Sequence, residues 1–153
     1  MKKILFVLVL LCSISLLAQN EFIKPKDVAP ANGYTHVVVT RPGKLIYLSG
    51  QVGNDTSGQI LGRGDLKVQT EQVFANLKAA LAAAGATFDD VVKINWYVKD
   101  YKPEYLPMLR DIRNKYVNKE NPPASTLVGV QSLFREECLI EVEAIAVVPE
   151  KKK

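Results

Sequence analysis

The sequence is poor in the residues that build disulfide or metal frameworks, since its 153 residues include two cysteines and one histidine. Cys12 lies in the N-terminal apolar segment, so Cys138 is left alone in the rest of the chain and no internal disulfide can form there. His36 belongs to no cluster of the kind that a zinc site requires. We therefore expect a fold that depends on neither disulfides nor a metal.

No apolar run reaches the length of a membrane span. The N-terminal stretch from Ile4 to Ala18 has 15 residues, whereas a transmembrane helix needs about 20. Lys2 and Lys3 precede this stretch, which gives it the basic start, apolar centre and small-residue exit of a secretory signal peptide. We predict that residues 1–18 are a signal peptide and that the protein is exported to the periplasm or secreted, with no stable membrane span. An uncleaved N-terminal anchor is the alternative.

Away from its two ends, the sequence also lacks an excess of basic residues. The net charge is +4, but five lysines lie at the two ends of the chain, at positions 2, 3 and 151–153, and without them the balance is −1. A nucleic-acid-binding face would keep its positive charge when the termini are discounted. The sequence therefore argues against RNA or DNA as a partner.

What remains is an ordinary globular composition, with 48% hydrophobic and 24% charged residues. A chain of this length can bury a core of its own within one domain. Pro25, Pro30 and Gly33 indicate an extended lead-in over residues 19–33. We expect the domain to occupy 34–149 and a basic tail to follow at 150–153.

Hydrophobic periodicity predicts an α+β fold. Runs of β-branched and aromatic residues predict strands, and apolar residues three and four positions apart predict helices. The first two strands are expected to form a hairpin across Pro42 and Gly43, while Asp65 and Gly85 mark the ends of the longer helix. The predicted elements are strands over 35–40 and 44–49, a loop over 54–64, a helix over 65–85, a strand over 91–98, a second helix from Pro107, and strands over 124–131 and 138–148.

Neither face of the last predicted strand is polar enough to be exposed to solvent. Because both helices follow strands, the crossover rule places them on the same face of one mixed sheet. The other face of the last strand carries both carboxylates together with large apolar residues: Leu139, Glu141, Glu143, Ile145 and Val147. Carboxylates among large apolar side chains need partners when they are buried. We therefore predict that another subunit covers this face.

Six segments carry a family signal when they are taken together. They are GYTH at 33–36, SGQ at 49–51, FANLK at 74–78, VVK at 91–93 with VKD at 98–100, NPPA at 121–124 and IEVEAIAV at 140–147. In this order they resemble the reactive-intermediate deaminase family (RidA, also called YjgF), and the resemblance covers 25–148. It implies a chorismate-mutase-like mixed sheet with two helices on one face, and a homotrimer with clefts between subunits. It also implies hydrolysis of small 2-imino or enamine acids to 2-oxo acids and ammonia, with no metal or organic cofactor.

The resemblance also suggests site residues. Glu141 stands at the position of the family glutamate that positions the attacking water and moves its proton. Tyr34 would close the cleft, and Ser49 and Gly50 would offer a hydroxyl and a backbone N–H to a carboxylate or oxyanion. The structural alternatives are a salt bridge between subunits for Glu141 and an ordinary strand end for Ser49 and Gly50.

One position departs from the deaminating branch of the family. The strand after the proline turn there begins with an arginine that clamps the substrate carboxylate, whereas this chain has Ser125, which we expect to face the substrate pocket. Loss of a charged hydrogen-bonding pair weakens binding about tenfold to a hundredfold, so we expect an altered substrate preference. Arg135 is the substitute that the sequence offers, with a solvated loop position as the alternative. Two functions stay open: an imine or enamine hydrolase, and a non-catalytic trimeric module that binds small ligands.

Overall fold

The computed structural model describes residues 20–150, which form an α+β fold. The predicted signal peptide and the three terminal lysines lie outside the described residues. The elements are β1 (Glu21–Ile23), β2 (Val37–Val39), β3 (Gly43–Val52), α1 (Leu66–Ala83), β4 (Val91–Lys99), α2 (Leu106–Arg113), β5 (Ala124–Val130) and β6 (Ile140–Pro149). The prediction of a mixed sheet with two helices is confirmed.

The main sheet has four strands in the order β3-β6-β4-β5. Strand β6 is antiparallel to both of its neighbours, whereas β4 and β5 are parallel. In this register Glu141 of β6 stands opposite Val52 of β3 and Tyr97 of β4. The last strand of the chain is therefore a central strand of the sheet.

The predicted hairpin between the first two strands is wrong. Strand β2 pairs with β1 in a separate two-stranded sheet, and β3 pairs with β6 instead. Arg41 fixes the first pairing, because its backbone N–H donates to Asn20 Oδ1 at 3.2 Å and its guanidinium pairs with Glu21. A β-branched run indicates a strand but does not identify the strand's partner. The predicted lead-in thus contains a strand of its own.

Helix α1 follows the sequence prediction closely. The Asp65 side chain accepts hydrogen bonds from the backbone N–H groups of Lys67 at 2.9 Å and Val68 at 3.1 Å, which satisfies two of the free donors at the helix start. Gly85 follows the last turn at φ +74°, a conformation that glycine adopts without strain. The buried apolar stripe of this helix consists of Val73, Phe74, Leu77 and Leu81.

Both helices pack on the same face of the main sheet. Helix α2 begins at Leu106 with Pro107 in its first turn, as predicted, and buries Leu109 and Ile112. Trp96 of β4 and Val142 of β6 are buried against the helices. None of the helices in residues 20–150 is long and apolar enough to cross a membrane.

The opposite face of the main sheet, which we call the open face, carries Tyr47, Lys93, Asn95, Glu141 and Glu143. Tyr47 is 74% exposed, and no described element of the chain covers it. This face combines a large exposed aromatic side chain with charged and amide groups, and it includes the two carboxylates that the sequence pattern placed on one face of the last strand.

Candidate functional site

The predicted site residues divide between the two faces of the main sheet. Glu141, Ser49 and Gly50 lie at the open face, where β3 meets β6. Tyr34 and Ser125 line a cavity on the side of the helices. Within one chain the structure therefore brings together two groups of candidates rather than a single site.

A β-bulge shapes the first group. The register between β3 and β6 shifts between Leu48 and Gln51, so that Ser49 and Gly50 depart from regular pairing. A methyl group at Gly50 would overlap the Glu141 carboxylate. A side chain at position 50 would therefore displace the Glu141 carboxylate from its place against the backbone of β3, which gives a physical reason for glycine here.

Ser49 also faces a groove of about 290 Å³ on the open face. Lys93 lines the same groove, and its ammonium group donates to Thr126 Oγ1 at 2.6 Å. Burial lowers the pKa of Lys93. The groove therefore combines a hydroxyl group and a partly desolvated cation beside the strand that carries Glu141.

The two carboxylates of β6 have different surroundings. Glu143 Oε1 accepts hydrogen bonds from Asn95 Nδ2 at 2.8 Å and from the Tyr97 hydroxyl at 3.0 Å. Partial burial raises the pKa of Glu141, and the negative charge of Glu143 raises it further. A carboxyl group with a raised pKa is suited to proton transfer near neutral pH. Glu143 is held as a fixed acceptor, whereas Glu141 is prepared to take up a proton.

The second group of candidates surrounds a cavity of about 160 Å³, which we call the helix-side cavity. Its lining residues are Asn32, Tyr34, Trp96, Leu106, Leu109, Arg110, Arg113, Ser125 and Leu127. The Trp96 indole N–H donates to Ser125 Oγ at 3.2 Å. Ser125 therefore points toward the helices, while the next residue, Thr126, contacts Lys93 on the open face.

The position of Arg135 does not support its role as a substitute anchor. Its Nη1 donates to the Gly58 carbonyl oxygen at 3.0 Å, and its Nε lies 3.9 Å from a Glu137 carboxylate oxygen. It is thus engaged in the loop before β6 and does not line the helix-side cavity. The arginines that do line it, Arg110 and Arg113, were not singled out by the sequence analysis. The available signal was their spacing, because Arg110 lies four positions after Leu106 and Arg113 lies four positions after Leu109.

The remaining candidates have structural roles. His36 Nε2 lies 2.8 Å from the Ala29 carbonyl oxygen, and Cys138 is fully buried, which raises the pKa of its thiol. Within residues 20–150 no three histidine, cysteine or acidic side chains are grouped so that they could hold a metal ion.

The fold is a mixed four-stranded sheet with two helices on one face and Glu141 on the other. This combination of fold and site is typical of one protein family. A family model described as "Endoribonuclease L-PSP" matches residues 25–148. The chain belongs to this family, the RidA/YjgF/L-PSP or Rid family, as the sequence resemblance indicated.

Individual relatives agree with this assignment. The chain is 35% identical over 122 residues to a RutC family protein of Pyrococcus abyssi, covering 80% of this chain and 89% of that protein. It is 31% identical over 124 residues to a protein of Dermatophagoides farinae named 2-iminobutanoate/2-iminopropanoate deaminase, covering 81% and 92%.

Solved structures give the same result for the fold. A Rid-family protein of Yersinia pestis, YyfB, superposes with a TM-score of 0.77 at 34% identity, covering 86% of this chain and all of that one. RidA from a Psychrobacter species gives a TM-score of 0.61 at 30% identity, covering 84% and 99%.

Proposed function

We propose that the protein is a cofactor-free hydrolase of imines or enamines, which releases a carbonyl compound and ammonia. The observation that carries this proposal is Glu141, a carboxyl group with a raised pKa that packs against Gly50 at the bulge. The relative named as a 2-iminobutanoate/2-iminopropanoate deaminase supports it. In this proposal the substrates are small imines.

Glu141 serves as the group that moves the proton. It takes a proton from a water molecule as the oxygen attacks the carbon of the C=N bond, and it passes that proton to the nitrogen, which gives a carbinolamine. It then takes the proton of the new hydroxyl group and transfers it to the amino nitrogen as the C–N bond breaks, so that the carbonyl forms and ammonia leaves. A pKa raised toward neutrality favours both steps, because the same group must accept and release a proton at one pH. Ser49 and Gly50 would donate hydrogen bonds to charge that develops on the substrate.

In this proposal a second copy of the chain brings the two groups of candidate residues together in one cleft. Glu141 and the helix-side cavity open on opposite faces of the sheet of one chain, so that a small substrate reaching both needs residues from two subunits. On the open face Tyr47 is 74% exposed and Leu45 is 49% exposed. We infer a homotrimer with clefts between its subunits, which light scattering measures directly as about three times the subunit mass.

Export of the protein is also a proposal. It rests on the basic and apolar pattern of residues 1–18, which lie outside the described part of the structure. Mass spectrometry of the native protein tests it: a mature N-terminus near Gln19 is expected, and a chain that retains Met1 would contradict cleavage.

The decisive measurement of function is ammonia release by the purified protein. Imines are generated in situ, one series from 2-amino acids and the other from simple amines, and ammonia is compared with that from spontaneous hydrolysis. Turnover above the spontaneous rate is expected, with a preference between the series that differs from the arginine-bearing branch because of Ser125. Saturable binding without turnover in either series would favour the alternative, a trimeric module that binds a small ligand.

The charge of Glu143 provides a test that involves pH. Glu143→Gln removes a negative charge that raises the pKa of Glu141 but keeps an oxygen to accept from Asn95 and Tyr97. Because Glu141 must be ionised to act as a base, activity is lost as the pH falls through its pKa. We expect the acidic limb of the kcat/KM profile to move to lower pH in this variant. Glu71→Gln, on the exposed side of α1, is the control that should leave the limb in place.

A further inference from the structure

Arg113 is a buried cation without an acidic partner. It retains 7% of its exposure and lines the helix-side cavity at the end of α2. The ion pairs found within residues 20–150 do not include Arg113 or its neighbour Arg110. No aspartate or glutamate of this part of the chain lines the cavity. The cavity wall therefore carries two positive charges that form no ion pair with a carboxylate among residues 20–150.

The guanidinium of Arg113 is held in place from two sides. Its Nη2 and Nε donate to Asn114 Oδ1 at 2.8 and 3.3 Å. On the other side the backbone of Gly33, at φ +78°, packs so closely that a Cβ there would come within 2.5 Å of Nη2. A guanidinium group has five N–H donors, so the bonds to Asn114 leave donors for an additional acceptor.

Burial of an unbalanced charge is unfavourable unless something pairs with it. Burial, followed by the positive charge of Arg110, lowers the pKa of Arg113, but arginine stays protonated at any physiological pH. An anion that enters the cavity would relieve this cost, and the fixed guanidinium would lose little freedom on binding it.

The geometry points to the helix-side cavity as the site that binds the substrate carboxylate, with Arg113 as its anchor and Arg110 as a second positive charge. This inference rests on the proposed function and specifies its substrate class as small monocarboxylate imines. Ser125 lines the same cavity, so the cation has moved from β5 to α2 within one pocket. In this arrangement the substrate carboxylate binds at a different place in the pocket from that in the arginine-bearing branch. The preference among acid substrates is therefore expected to differ.

The size and lining of the cavity limit the rest of the substrate. Its volume of about 160 Å³ is well below the roughly 300–1,000 Å³ of sites for drug-sized ligands. Trp96, Leu109 and Leu127 supply an apolar wall. A short aliphatic chain attached to the carboxylate fits these surfaces.

A binding experiment tests this inference without requiring turnover. The chain has one tryptophan, so that Trp96 gives a single indole N–H signal in a nitrogen-edited NMR spectrum and reports on the cavity. The probes are 2-oxobutanoate and its neutral amide, 2-oxobutanamide. We expect a saturable shift of the indole signal with the carboxylate and at least about tenfold weaker binding of the amide. Equal affinity for the two probes would overturn the proposal.

Variants identify the anchor. Arg113→Met keeps the length of the side chain and should weaken 2-oxobutanoate binding about tenfold to a hundredfold, whereas Arg113→Lys should restore part of it. Arg135→Gln is the matched control and should bind as the wild type does, because Arg135 lies in a different loop. Undiminished affinity in Arg113→Met would refute the assignment. If that variant does not fold, Arg110→Gln should still weaken binding several-fold, and unchanged binding there would count against the cavity.

The outcomes separate the two proposals. Binding of 2-oxobutanoate that depends on Arg113 supports the anchor even if no ammonia is released. Ammonia release with a KM that Arg113→Met leaves unchanged supports the hydrolase and rejects the anchor.

Discussion

Replacement of Glu141 with glutamine is expected to lower kcat for imine hydrolysis by a factor of about 10²–10⁴, with a much smaller change in KM. Glutamine matches the shape of the carboxyl group that packs against Gly50, so the geometry of the bulge is kept. It cannot take a proton from water, and the barrier to attack on the C=N carbon therefore rises. Steady-state kinetics of ammonia release measure the loss.

The same substitution should stabilise the fold. Because burial raises the pKa of Glu141 above its value in the unfolded chain, the ionised carboxylate destabilises the folded state at pH values above that raised pKa. Glutamine removes this penalty, so the Tm of Glu141→Gln should exceed that of the wild type at neutral pH. The difference should shrink as the pH falls through the pKa. A lower Tm than that of the wild type at neutral pH would contradict this prediction.

Glu71→Gln is the control for the exchange of a carboxylate for an amide. Glu71 lies on α1 and makes a single exposed ion pair with Lys115 at 3.6 Å, and such pairs contribute little to stability. Its kcat should equal that of the wild type. A kcat for Glu141→Gln that is also unchanged would remove the proton-transfer role from Glu141.

Phe74→Ala is expected to lower the free energy of unfolding by about 3–5 kcal/mol. Phe74 is fully buried in α1, and its ring centroid lies 5.8 Å from Phe88, 5.2 Å from Trp96 and 5.1 Å from Tyr116. Truncation to alanine leaves a cavity among three rings that belong to different segments and cannot all move inward. Such a loss is a large share of the roughly 5–15 kcal/mol that stabilises a typical domain.

Urea unfolding monitored by fluorescence measures this effect, because the single tryptophan packs against Phe74. Val68→Ala, on the exposed side of the same helix, is the matched control: Val68 is 38% exposed, and a change within about 0.5 kcal/mol is expected. Alanine has the highest helix propensity, so propensity cannot cause a loss in either variant. A comparable loss in both variants would therefore show that the aromatic cluster does not account for the effect.

Local signals explain which parts of the fold were predictable. The cap at Asp65 and the glycine at Gly85 lie within a few residues of the helix ends that they determine, so α1 could be predicted from the sequence. The partner of β3 could not, because β6 lies near the other end of the chain and strand periodicity does not identify pairings. Distance along the chain, rather than weakness of the pattern, produced the error.

The candidate site shows the same limit. The alternation of β6 placed Glu141 and Glu143 on one face from the sequence alone. Their different surroundings could not be predicted, since the donors to Glu143 come from Asn95 and Tyr97 on the neighbouring strand. The role of Arg113 depends on three segments that meet at the cavity. The sequence therefore offered only Arg135 as a substitute anchor, with a solvated loop position as the alternative.

The position of β6 in the sheet also constrains how the chain folds. Ile46 of β3 pairs with Ala146 of β6 across 100 positions of sequence, and contacts this distant slow folding because a long loop must close first. During synthesis β3 and β4 emerge before β6, the strand that joins them, so the main sheet cannot assemble until β6 has been synthesised. Until β6 is available, the nascent chain exposes unpaired strand edges, which favour aggregation.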